Sequence, residues 1–163
     1  MSGKDYNIQL SILTDNYIIL EKHIKSRISK ITKSYCNSCL SICCKEEICR
    51  ETIDSNFLHL LIKKQKLKYN KISGWTSSKG CKIDYGRPLI CYEYFCEKIK
   101  NSKIFHSSGI EKLVKEFKAV GNSCYKKQHL ICITNFEELS NVKIKKINEN
   151  IMRLLKNLSL QGE

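Results

Sequence analysis

At 163 residues the chain has the length of one domain with a modest hydrophobic core, and 42% hydrophobic and 28% charged residues, with one proline and seven glycines, exclude linkers, low-complexity tracts and a disordered chain. A net charge of +13 points toward polyanions, but all but four of the 29 basic residues are lysines, scattered along the chain, and the one dense run, Lys63, Lys64, Lys66, Lys68 and Lys71, reads as a solvated helix end ahead of a phosphate-binding patch. Met1-Ser2-Gly3-Lys4-Asp5 carries an acid where a signal peptide needs cations and no run approaches the eighteen or so apolar residues of a membrane span, so the expected setting is cytoplasmic, where ten cysteines are thiols or metal ligands.

Tyr6, Leu10, Leu13, Tyr17, Leu20, Ile24, Ile28 and Ile31 recur at steps of three and four, which predicts an amphipathic helix over about 5–34. A break near Thr14-Asp15-Asn16, or a short N-terminal strand from the alternation of Tyr6, Ile8, Leu10 and Ile12, competes with it. Four cysteines follow within nine residues, Cys36-x2-Cys39-x3-Cys43-Cys44. Packing does not explain them, because adjacent Cys43 and Cys44 point in different directions and a core position wants a larger apolar side chain. Ligation does explain them: a C-x2-C turn brings two thiolates to one ion, and the next step returns the chain with two more.

Lys45 to Arg50 reads as helix, and Ile53, Phe57, Leu60, Leu61 and Leu67 continue an apolar face, with Thr52 or Asp54 as cap. His59 within that face is expected to be a partly buried histidine rather than a ligand, since no second histidine follows one turn on. The turn-rich Ser73–Gly80 stretch delivers Cys81, Cys81–Gly86 reads as extended, and Pro88 opens a helical turn that presents Cys91. Tyr92, Tyr94 and Phe95 surround Cys96 as a wall against water rather than a platform for bases. Ser108 and Glu111 form a capping-box pattern before Ile110, Leu113, Val114, Phe117 and Val120, and Gly121 is the expected stop.

Leu130-Ile131-Cys132-Ile133 reads as a short strand or the run-in to a helix, with Cys132 as a core residue. Thr134 and Glu137 repeat the capping box before a last helix over about 135–160, with Phe136, Leu139, Ile144, Ile147, Ile151, Leu154 and Leu158 near heptad spacing. The expected fold is mainly α: a single domain over 1–163 in which long terminal amphipathic helices, packed on each other or on a second subunit, enclose a loop-rich cysteine and metal centre over about 36–124, with at most a few short strands.

The cysteine groups carry a resemblance. Cys36-x2-Cys39-x3-Cys43-Cys44, then Gly80-Cys81 and Tyr85-Gly86-Arg87-Pro88-Leu89-Ile90-Cys91-Tyr92-Glu93-Tyr94-Phe95-Cys96, resembles the YkgJ-type cysteine-cluster family, described as a zinc- or iron-chelating domain, to which flagellin lysine N-methylases are also related. The resemblance covers about Cys36 to Cys96. It implies that Cys36, Cys39, Cys43, Cys44, Cys81, Cys91 and Cys96 are cluster cysteines, with Cys124 as an eighth, and that Arg87 and Pro88 orient the Cys91 turn, the arginine by donating to thiolates or backbone carbonyls. Leu40 stands where the family often has glycine, and Cys49 and Cys132 are surplus to the pattern.

Three functions fit these residues. The first is chelation of zinc or iron, an iron-sulfur cluster included. The second is a metal- or iron-sulfur-dependent protein-modifying enzyme, by analogy with the methylases. The third is a zinc module that binds nucleic acid. Metal binding ranks first because it needs only thiolate sites, whereas the chain has no glycine-rich site, P-loop, H-E-x-x-H or nucleophile elbow, and its lysines do not gather in one segment. The expected partners are metal ions and a protein partner or second copy on the terminal helices, not nucleic acid and not a membrane.

Overall fold

Leu13, Tyr17, Leu20 and Ile24 return to one side of a 3.6-residue period, and in the computed structural model all four are at most 1% exposed along α1 (Gly3–Cys36). The structure describes residues 3–36, 45–77, 80–122, 129–133, 136 and 139–160. At 1.5 Å per residue α1 is about 50 Å long. It runs unbroken through Thr14-Asp15-Asn16, where the Thr14 hydroxyl donates to the Ser11 carbonyl, so neither the expected break nor an N-terminal strand forms.

The last helix, α8 (Asn141–Leu160), buries Ile144, Ile147, Ile151, Leu154 and Leu158. It starts later than expected: Phe136 and Leu139 close a turn, and Ser140 supplies the first carbonyl to Ile144. Thr134 and Glu137 lie outside the described residues. Tyr6 donates to the Phe136 carbonyl, Asn16 to Asn148, and Arg27 to the Leu158 carbonyl, so contacts ascend both helices together. The terminal helices therefore pack on each other and run parallel.

Between them lie the shorter elements: α2 (Glu46–Asp54), α3 (Asn56–Lys63), a two-residue antiparallel ladder of β1 (Thr76–Ser77) and β2 (Gly80–Cys81), α4 (Ile90–Glu93), α5 (Glu97–Lys100), α6 (Lys103–Ser107) and α7 (Ile110–Gly121). The fold is thus mainly helical. Ser55, not Thr52 or Asp54, caps α3: its hydroxyl accepts from the Leu58 N–H and donates to the Ile131 carbonyl, tying α3 to a 3₁₀ turn over Leu130–Cys132. The capping box at Ser108 does not form either. Ser108 ends α6, and Gly109, at φ 66°, takes the cap of α7, a left-handed position that glycine occupies without strain. In the 3₁₀ turn Leu130 and Ile131 are buried, whereas Cys132 is exposed rather than a core residue, because the tight turn points it outward.

Tyr17 joins the layers. Its ring meets Phe57 of α3 edge-on at 5.1 Å and Phe117 of α7 at 5.6 Å, and Phe117 meets Tyr92 at 5.4 Å. Its hydroxyl is buried and finds no partner among the described residues. Tyr17→Phe keeps the ring contacts and removes an unsatisfied polar atom, so unfolding of this variant is expected at equal or higher denaturant, by up to about 1 kcal/mol.

Gly121 closes α7 because a side chain there would strike the His129 ring. His129 Nε2 meets the Lys118 carbonyl and its Nδ1 accepts from the Ile131 N–H, which requires the neutral Nε2–H ring. Burial first, then the Lys118 charge, outweighs the Lys118 carbonyl and lowers its pKa below the ordinary 6.5. The neutral ring's contribution is therefore complete above about pH 6.5 and lost as pH falls through the lower folded value. Chemical denaturation at several pH values should find the stability advantage of wild type over His129→Gln shrinking below pH 6.5.

Candidate metal centre

The centre is built from the turn that carries Arg87 and Pro88. Gly86 takes φ 82°, with its α-carbon close against Leu61 and Ile62 of α3, and swings the chain toward α1. There the fully buried Glu21 accepts from the Gly86 N–H at 2.6 Å, from the Arg87 N–H at 2.8 Å and from the Tyr92 hydroxyl. Burial drives the Glu21 carboxyl upward; Tyr92, the two backbone donors and the Arg87 charge oppose this without cancelling it. Arg87 turns back and donates through Nε and Nη2 to the Ile83 carbonyl, at 3.0 and 2.7 Å. The loop is thereby closed over residues 83–87, and the next backbone bonds, Cys91 to Pro88 and Tyr92 to Leu89, set Cys91 in the helical turn expected after the proline. Pro88 is buried at its base.

Desolvation alone would weaken the Arg87 proton, but Cys81, Tyr92, Cys91 and Glu21 outweigh it and hold the pKa above its ordinary value. The half-buried guanidinium is thus a fixed cation within electrostatic reach of two cysteines. Cys81 arrives from the ladder, where it pairs with Thr76 while Lys82 donates to the Trp75 carbonyl. Trp75 is buried, with its indole N–H on the Thr52 hydroxyl at 2.6 Å. The separate small core holding Trp75 also contains Cys49, Ile62 and Ile83, with Cys81 packed against it.

The expected ligands divide accordingly. Cys81 and Cys91 both lie within electrostatic reach of Arg87. Cys96 caps α5 and packs half-buried on the main core, while Cys36 is exposed at the last residue of α1. Cys39, Cys43, Cys44 and Cys124 lie outside the described residues. Tyr92 and Phe95 are buried in the main core, and Tyr94 is 60% exposed. His59 is half-buried in α3. Among the described residues no three histidine, cysteine, aspartate or glutamate side chains meet closely enough to hold an ion. Nor is any helix there long and apolar enough to cross a membrane.

No family model, curated protein or solved structure matches the chain. The centre is judged on its donors alone. Thiol donors suit a soft or borderline ion such as zinc, or an iron-sulfur cluster, better than a hard oxygen-seeking cation. One contributor to the Arg87 loop escaped the sequence reading: Glu21 follows Tyr17 by one turn on the buried stripe of α1, and a carboxylate in that register was the available signal.

Proposed function

We propose that the chain is a metal-binding cysteine-cluster protein that chelates zinc or iron through thiolates of its two cysteine groups. The observation that carries the reading is that Cys81 and Cys91, ten residues apart, both lie within electrostatic reach of one half-buried guanidinium whose loop is clamped by Glu21. A fixed cation near two cysteines, held in place by its own loop, suits a centre built from thiolates. The resemblance to the YkgJ-type family supports the same assignment and adds Cys36, Cys39, Cys43, Cys44, Cys96 and Cys124 as donors. Arg87 would hold the thiolates in orientation, Pro88 and Glu21 would hold Arg87, and Tyr92 and Phe95 would limit water. The proposed setting is cytoplasmic, where thiols persist reduced.

Purification without oxygen, followed by metal analysis and a visible spectrum, tests the reading. The expected result is at least one equivalent of metal per chain, with absorption near 400 nm for iron-sulfur or a colourless protein for zinc. Cys91→Ser should lose most of that metal, whereas Cys132→Ser, at an exposed turn, should keep it. Metal-free folded protein, unable to take up zinc or iron, would contradict the proposal.

A further inference from the structure

α1 carries two stripes. Leu13, Tyr17, Leu20 and Ile24 face the core, while Asp5, Ile8, Ile12, Asp15, Ile19 and Lys22 recur at steps of three and four about 140° round the helix, on the side turned away from it. Ile8, Ile12 and Ile19 are 51%, 43% and 47% exposed, and Asp15 and Lys22 are exposed with them. The outer stripe therefore has the spacing of a coiled-coil seam, with no helix of the described residues laid along it. The same segment is the longest in the chain without lysine or arginine: none occurs from Asp5 to Glu21, in a protein of net charge +13. On so basic a surface, this is the face where two molecules of like charge approach at least cost, whereas a polyanion would be drawn to the lysines elsewhere.

We infer that this stripe is a dimer interface, on which α1 of a second copy packs antiparallel. In one register all six positions pair at once: Ile8 meets Ile19 of the second copy, Ile12 meets its Asp15, and Asp5 meets its Lys22, each contact occurring twice about a two-fold axis. A parallel pairing would oppose Asp5 to Asp5 and Lys22 to Lys22, so charge selects the antiparallel one. Asp15 brings no bare carboxylate to the middle layers, because Lys64 of its own chain holds it at 2.7 Å. Lys22 is the cation free to reach across, since Asp84 is held more closely by Lys25, at 2.6 Å against 3.7 Å. From Asp5 to Lys22 α1 rises about 26 Å, a contact at the small end of specific interfaces, so a micromolar dimer is expected rather than an obligate one. No cysteine takes part, and self-association is therefore independent of the proposed metal binding.

Sedimentation equilibrium of the anaerobically purified protein tests the interface. At about 100 μM, above the micromolar constant such a contact allows, wild type is expected at close to twice the 19.0 kDa monomer mass. Ile19→Lys sets a cation against Ile8 of the second copy at a position exposed in the monomer, so it should weaken self-association at least tenfold and leave thermal unfolding of the dilute monomer unchanged. Ile104→Lys, at an exposed position of α6, should dimerise like wild type. The register is read in wild type, from dimers mixed from isotope-labelled and unlabelled chains: the Ile8 methyl protons should show an intermolecular nuclear Overhauser effect to those of Ile19. A monomeric wild type at that concentration, an Ile19→Lys protein that dimerises as tightly as wild type, or intermolecular contacts of Ile8 with Ile8 would overturn the inference.

Discussion

Glu21→Ala is expected to lower stability by about 3–5 kcal/mol, the cost of stripping one partner from a buried, hydrogen-bonded charge. Three donors lose their acceptor at once: the N–H groups of Gly86 and Arg87 and the Tyr92 hydroxyl. Arg87 also loses a carboxylate that favours its charged form. For a chain of this size such a loss corresponds to a fall in thermal midpoint of roughly 10 °C or more. The conservative control is Glu21→Gln, which keeps one acceptor but turns an amide N–H toward a donor, so an intermediate loss of about 1–3 kcal/mol is expected. Bound metal should fall in the same order, because the Arg87 loop carries Cys91. Denaturant unfolding that finds Glu21→Ala within about 1 kcal/mol of wild type would refute the clamp.

Gly74→Ala has the second largest expected effect. Alanine at φ 58° is strained by roughly 1–2 kcal/mol, and its methyl would press on the Cβ and sulfur of Cys49, adding an overpacking cost of about 1–3 kcal/mol. Gly80→Ala separates the two terms. Gly80 also has positive φ, 99°, but nothing among the described residues lies within 4 Å of the added Cβ, so backbone strain is the term it isolates. A stability loss clearly greater in Gly74→Ala than in Gly80→Ala is the expected outcome of thermal unfolding; equal losses would mean that Cys49 yields freely and that the loop does not fix its sulfur.

The terminal helices were legible because each buries a stripe whose period depends on the helix alone: Leu13, Tyr17, Leu20 and Ile24 in one, Ile144, Ile147, Ile151, Leu154 and Leu158 in the other. Their parallel direction was not, since it depends on how the segment between them crosses the domain. Local signals failed where two residues compete for one role, as when Ser55 displaced Thr52 at a cap because Thr52 is occupied by the Trp75 indole. In the proposed centre, Cys81, Arg87, Pro88 and Cys91 were suggested by the resemblance of their motif. Glu21 was not: its importance comes from backbone donors 65 and 66 residues away in the chain, which no spacing rule contains.

The central claim, that thiolates of the two cysteine groups share a metal, is tested most directly by X-ray absorption at the metal edge of anaerobically purified protein. The account predicts a shell dominated by sulfur, at about 2.3 Å if the metal is zinc, and a Cys91→Ser protein that loses the metal or shows fewer sulfurs. A shell of nitrogen and oxygen alone, or a sulfur shell unchanged in Cys91→Ser, would contradict it.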